Sequence, residues 1–346
     1  MRTTCNIDQL SQNLARALSA AIIRKFVQDN DEFERLFRRL ELQEDHSDHA
    51  ATIEFDPPYF LSNYSQRITI IVPVFNALNE LKDCIKSVFS HTKHPRWRLL
   101  VIDDCSTDQN VRHYLQNLQQ HECVDVIYNE TNIGYTKTVN KALKASANDN
   151  VILLNSDAEV TPNWLVALLV AGFKNKSIGT VTPMSNNAGA FSFPTANHET
   201  KIPIGFSREE FASLLCKSTC AIPDLQLPTG NGFCMLIKHS LIEVIGDFDE
   251  HNFPRGYGEE NEFCMRALKH GFVNILTPSA FVYHIKTASF KGERTQLIKN
   301  GEETMKRMFP SYFKRVKKAF SSAEMLSLRQ HIASFITSIT NEKACN

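Results

Sequence analysis

A chain of 346 residues, 42% hydrophobic and 22% charged, has ordinary globular composition and room for one large domain with appendages or two smaller ones. Thirty-eight basic side chains balance thirty-eight acidic ones, so no overall field draws the protein to nucleic acid, and no nucleic-acid partner is expected. No apolar run reaches the roughly 20 residues of a membrane span. The short stretch Ala17 to Ile23 has no small-residue cleavage site after it, so it does not read as a signal peptide. Nine scattered cysteines, an odd number, read as reduced thiols. Cys216 and Cys220 stand one helical turn apart, but no second pair has zinc-site spacing. The expected location is the cytoplasm, with peripheral contact at the inner face of the cell membrane as a further expectation.

Leu10, Leu14, Leu18, Ile22 and Phe26 recur every four residues and predict an amphipathic helix, followed by a charged helix from about Asp31 to Leu42. The polar stretch holding His46, Asp48 and His49 reads as a solvated linker. Asp56-Pro57-Pro58 then marks a boundary, giving a helical N-terminal extension over 1–55. From Arg67 the pattern changes. Five β-branched or apolar runs, at 68–75, 97–104, 124–130, 150–157 and 178–185, alternate with helical segments. Among these, Leu81, Ile85, Val88 and Phe89 share one helix face, Val139, Ala142 and Leu143 another, and Thr161-Pro162 predicts a cap and first turn. Strands apolar on both faces and separated by helices imply an α/β fold with a mostly parallel sheet covered on both sides.

Polar residues close two of these runs: Asp103 and Asp104 the second, Asn155, Ser156 and Asp157 the fourth. Open α/β sheets bind ligands at the carboxyl ends of their strands. Three carboxylates gathered there repel one another unless a cation or hydrogen-bond donors stand among them. The first loop, PVFNALNEL, contains no glycine, which argues against a dinucleotide-binding fingerprint and a P-loop. Diphosphate charge must then be met by a metal and basic side chains.

The ordered series PVFN, VIDDCSTD, NIGYTKTVN, LLNSDAEV, TPMSNNAG, PTGNGFCMLIK, GYGEENEFCMRA and FVYH resembles family 2 glycosyltransferases of the GT-A fold. It is most similar to bacterial members that build O-antigen, capsule or rhamnose-rich polysaccharides. The resemblance covers about 67–310, leaving 311–346 as a helical C-terminal tail. It implies an enzyme that moves a sugar from a UDP, dTDP or GDP donor to a hydroxyl of a glycan or lipid-linked acceptor. Pro73, Phe75, Asn76, Asp103, Asp104, Asn132, Gly134 and Asn155 would form the nucleotide-sugar pocket. Asp157 would bind Mg²⁺ or Mn²⁺, with His284 a further ligand of the metal or the diphosphate; imidazole suits Mn²⁺ better. Gly230, Asn231 and Gly232 would line the acceptor side. Glu260 would be the catalytic base of an inverting transfer, and Glu259 would hold acceptor hydroxyls.

The chain departs from the common family pattern at Asn155, at Ala77 and in the Glu259-Glu260 pair with the later Glu262. Ser185-Asn186-Asn187 reads either as a loop of the site or as a turn. Arg266 is expected to pair with Glu262, and Cys264 and Met265 to be core. The run Lys314, Arg315, Lys317, Lys318 is a solvated helix face or a contact for anionic lipid or charged glycan. Two competing functions are a sugar-binding or scaffolding domain derived from a transferase and a nucleotidyltransferase. The first would be expected to lack Asp157 or the glutamate pair; the second would need a glycine-rich, basic first loop.

Overall fold

The computed structural model describes residues 64, 66–92, 96–146, 148–285 and 291–344. The two predicted N-terminal helices, the 1–55 extension and the boundary at Asp56 lie outside the described residues. The chain opens with a parallel α/β series. β1 (Ile68–Val74) leads to α1 (Leu78–His91), β2 (Trp97–Asp103) to α2 (Gln109–Leu118), and β3 (Val124–Tyr128) to α3 (Tyr135–Ala145). β4 (Asn150–Leu154) and the short β5 (Ala158–Val160) precede α4 (Trp164–Phe173) and β6 (Ile178–Met184). Then come α5 (Arg208–Thr219), β7 (Leu225–Leu227), β8 (Cys234–Ile237), α6 (His239–Ile245), α7 (Glu259–Lys269) and β9 (Val273–His284). Helices α8 (Lys291–Met308), α9 (Tyr312–Phe320) and α10 (Ala323–Ala344) follow.

The sheet runs β3-β2-β1-β4-β8-β6-β9-β5, with β7 on β9. Its first four strands are parallel, in register Ile71↔Leu100 and Ile71↔Leu153. The second half is mixed. β8 enters antiparallel between β4 and β6, and β9 runs parallel to β6 but antiparallel to β5 and β7. Successive residues of β1 point to opposite faces. Ile68, Ile70 and Val72 join the core under α1, α2, α4, α5 and α10, while Ile71 joins the core under α3, α6 and α7. This two-sided burial is why the strands read as continuous apolar runs.

All five predicted runs are strands, and the two closed by polar residues end there, β2 at Asp103 and β4 just before Asn155. The expected cap at Thr161-Pro162 is not formed. α4 starts at Trp164 after Asn163 in the left-handed region, and the Thr161 hydroxyl donates instead to Phe281 O at 2.5 Å. Phe89 sits outside the core of its helix, packed edge-on against the Trp97 ring. No helix among the described residues is long and apolar enough to cross a membrane.

Candidate active site

The carboxyl ends of β1, β2 and β4 lie side by side, and the sequence turns polar at each. After β1, Phe75 is exposed, and Asn76 and Ala77 both take positive φ to turn into α1. Asn76 was expected in the nucleotide pocket. Its Oδ1 accepts the N–H groups of Thr107 and Asp108 at 2.9 and 3.0 Å, tying the β1 end to the loop before α2. Pro73 is a ladder residue opposite Ile102.

The two aspartates after β2 are both buried and do different work. Asp103 Oδ1 accepts the backbone N–H and hydroxyl of Ser106 at 3.1 and 2.5 Å, and its Oδ2 has no donor among the described residues. Asp104 is fully engaged. Oδ1 accepts from Asn129 Nδ2 and the Ile133 N–H, and Oδ2 accepts from the Gly134 N–H, all at about 3 Å. The carboxylate thus fills the electropositive start of α3, where a phosphate would otherwise be welcomed. Asp104 thereby builds the turn that leads into α3. Asn132 is exposed, and its Nδ2 donates to Asp104 O at 3.2 Å. Gly134 has φ +87°, and a Cβ there would lie 2.7 Å from Pro254 O, so the α3 turn closes on the loop before α7 only with glycine.

Past β4, Asn155 donates its N–H to Phe233 O at 2.9 Å, and the chain turns through Asp157 into β5. β5 pairs with β9 so that Ala158 faces His284, and Ile285 N–H donates to Asp157 O at 2.9 Å. This rung brings His284 Nε2 to 3.2 Å from Asp157 Oδ1. His284 Nδ1 lies 3.0 Å from Asn187 O, and a carbonyl only accepts, so Nδ1 carries the proton. In the neutral ring the Nε2 lone pair then faces a carboxylate, two acceptors that only a proton or a cation reconciles. Cis ligands at about 2.1 Å from an octahedral ion stand about 3 Å apart, which this pair matches. The carbonyl behind Nδ1 is the usual support of a metal-bound imidazole. Asn186 Oδ1 accepts the His284 N–H at 2.8 Å, and Phe233 stacks on the ring at 5.5 Å. So 185–187 is a loop of the site, supporting the histidine. Among the described residues no group of three metal-ligating side chains gathers, so water and substrate oxygens would complete the shell.

The loop 229–233 links this pair to the glutamates. Gly230 is pressed against Met235 Sδ and Thr182 Oγ1, and Asn231 holds the loop through Thr182 and the Phe233 N–H. Gly232 N–H donates to Glu260 Oε1 at 3.3 Å, one residue from the ring stacked on His284. A Cβ on Gly232 would lie 3.3 Å from both Glu260 Oε1 and Tyr135 Oη. Glu259 and Glu260 start α7 behind Gly258. Glu259 is buried and accepts the Gly258 N–H at 3.0 Å; burial, then the charge and hydrogen bond of Glu260, hold it protonated well above the usual carboxylate range. Glu260 is partly exposed. Tyr135 is pushed well above the usual phenol range by burial and then by Glu259, Glu260 and Asp157, so it stays an O–H donor amid three carboxyl groups.

Two supports of this cluster make contacts that sequence spacing does not show. Asn140, the last residue of the NIGYTKTVN motif, exchanges hydrogen bonds with the Phe248 backbone at 2.9 and 3.0 Å and so pins the loop entering α7. Arg266 bonds both oxygens of Glu262, as expected, and also reaches Ile245 O and Asp247 O, which no spacing shows. The resemblance implies that Tyr135 shapes the nucleotide side of the pocket together with Asn132 and Gly134; its nearness to the glutamates was not legible, since they arrive on α7. Cys264 and Met265 are core.

A family model described as glycosyl transferase family 2 matches residues 69–245, just over half of the chain. The putative teichuronic acid biosynthesis glycosyltransferase TuaG of Bacillus subtilis is 35% identical over 98 residues, 28% of this chain and 38% of that protein. The N-acetylglucosaminyl-diphospho-decaprenol L-rhamnosyltransferase of Mycobacterium tuberculosis is 25% identical over 211 residues, 55% of this chain and 67% of that protein. The chain therefore spans well under half of the first relative's length. Among solved structures, the mannosyltransferase PcManGT from Pyrobaculum calidifontis, in complex with GDP-Man and Mn²⁺, has a TM-score of 0.53 at 15% identity over 97% of this chain and 91% of that one. That likeness shows the GT-A fold. The family match runs from β1 through α6, taking in Asp103, Asp104 and Asp157 and stopping before the glutamate pair. The chain belongs to glycosyl transferase family 2.

Proposed function

We propose that this chain is a metal-dependent, inverting glycosyltransferase that moves a sugar from a UDP, dTDP or GDP donor to a hydroxyl of a glycan or lipid-linked acceptor in surface polysaccharide synthesis. One observation carries the reading. Asp157 Oδ1 and His284 Nε2 face each other at 3.2 Å, and the loop beside them hands its next N–H to Glu260. The donor set, one carboxylate and one imidazole, fits Mn²⁺ better than Mg²⁺. Such an ion supplies Lewis-acid offset of the charge on the departing diphosphate. The Pyrobaculum neighbour's GDP-Man and Mn²⁺, and the lipid-diphosphate substrate in the mycobacterial relative's name, support the same chemistry here.

The residues divide the work. Asp103 Oδ2 and the exposed Phe75 ring meet the base side of the donor, where a carboxylate takes a ring N–H and an aromatic covers a face. Arg255, whose stem lies against Gly134, is the cation on the nucleotide side. Gly230, Asn231 and Gly232 border the acceptor, and Asn155 faces the donor sugar or its ribose. Glu260 takes the acceptor's hydroxyl proton as that oxygen bonds to the anomeric carbon and the bond to the diphosphate breaks. Neutral Glu259 and Tyr135 donate hydrogen bonds to oxygens near it and add no charge.

The test is nucleoside diphosphate release from a panel of nucleotide sugars with Mn²⁺, beside calorimetric titration of Mn²⁺ with the nucleotide present. Asp157→Ala should abolish turnover and metal-dependent binding while leaving the unfolding transition within about 1 kcal/mol of wild type, as a partly exposed ligand should. Full turnover in EDTA would sink the metal reading.

A further inference from the structure

Helix α9 separates apolar and cationic side chains cleanly. At about 100° per residue, Tyr312, Phe313, Val316, Ala319 and Phe320 share one arc, and Lys314, Arg315, Lys317 and Lys318 occupy the opposite one. The apolar arc is spent: Phe313 and Val316 pack with the Phe253–Met265–Phe309 cluster, and Phe320 meets Phe191 edge-on at 5.3 Å. The four cations are exposed, α9 has no acidic residue, and none of the four pairs with an acid among the described residues. In a chain with no net charge, this is a local concentration. Exposed apolar side chains stand on the neighbouring elements, Ile298 on α8 and Leu326 in the first turn of α10.

We infer that the outward face of α9 docks the protein on an anionic phospholipid surface. Long cationic stems on a convex helix back match a charged plane, and adjacent apolar side chains add insertion at the headgroup level. Single-stranded nucleic acid would need aromatic platforms facing outward, and here the rings face inward. The helix also begins at the site. The Tyr312 phenol hydrogen-bonds with Thr229 of the acceptor-side loop and feels the charge of Glu260. A docked α9 therefore holds the bilayer one helix diameter, about 10 Å, from the acceptor-side loop. That last consequence rests on the proposed glycosyl transfer, whereas docking itself does not.

The experiment is co-sedimentation of the full chain with vesicles of phosphatidylcholine alone or mixed with about one-third phosphatidylglycerol. Binding should require the anionic lipid and weaken as salt rises. Each cation near the surface contributes about fivefold in partitioning, so Lys317→Glu/Lys318→Glu should lose at least roughly 25-fold. Lys82→Glu/Lys86→Glu on α1 changes the total charge equally and should bind like wild type, and circular dichroism checks that both variants are folded. Lys317→Gln/Lys318→Gln should fall between. Equal binding to both vesicles, equal loss in the two charge reversals, or binding to heparin without binding to vesicles would overturn the assignment. Nucleoside diphosphate release, measured without vesicles, fails or survives separately.

Discussion

Glu259 and Glu260 are chain neighbours with opposite surroundings, and their amides should separate two kinds of effect. Glu260→Gln keeps shape and can still hydrogen-bond but cannot take a proton. Turnover should fall by roughly the 10²–10⁴-fold of a lost general base with donor affinity little changed, read as kcat against KM. Glu259 is held protonated in the fold, so the folded state binds more protons than the unfolded chain above the ordinary carboxylate range. Stability from this group is full at low pH and declines as pH rises toward its raised value. Glu259→Gln should flatten that decline, and urea midpoints across pH will show it. A steeper decline in the variant would exclude a protonated Glu259. At this scale the sequence was informative about place and silent about division of labour. Asp103 and Asp104 are indistinguishable as letters. What separates them is that the Ile133 and Gly134 N–H groups, from a turn far along the chain, converge on one carboxylate and not the other.

Among the elements, α10 reaches the site's support through one side chain. Arg329 donates to Ala190 O, Ser192 O and Pro194 O at 2.6 to 3.0 Å and lies over the Phe193 ring. That segment returns hydrogen bonds to Ser185 on both sides, next to the residues that hold His284. Hydrogen bonds to charged groups are worth about 1.5–3 kcal/mol each and are not additive, so Arg329→Ala should cost about 3 kcal/mol in chemical denaturation and weaken Mn²⁺ activation. Arg329→Lys should recover only part, because a point charge does not span three carbonyls. An unchanged denaturation midpoint in the alanine variant would remove the tether. Strands β1 to β4 and β6 were legible because five to seven residues set a pattern against polar or helical flanks, whereas of the 12-residue β9 only the closing FVYH was read. β5, β7 and β8 were not, since three or four residues are too few to show a period. The consequence was a sheet read as mostly parallel, without the antiparallel strand that enters beside β4.

Across the whole molecule, residues expected as a tail share the central core. Met325, Leu328 and Ile332 are fully buried against the same face as β1. Three such side chains represent about 5–9 kcal/mol of burial, comparable with the entire stability of a domain. A chain ending at Phe320 should therefore lose its cooperative unfolding transition. A chain beginning at residue 63 should keep it, because Tyr64, bonded to Asn150 and edge-on to Phe173, is retained. Persistence of the transition without α10 would contradict this packing. The pairing of β5 with β9 has its own bearing on how such a chain can vary. Asp157 and His284 are far apart in sequence yet share one backbone rung, so length changes between Val160 and Val273 are absorbed before the chain reaches it. Segments around α5 and α6 can gain or lose residues while the Asp157–His284 pairing is inherited unchanged. A strand slip of a single residue, by contrast, turns the imidazole to the other face and separates it from Asp157 in one step.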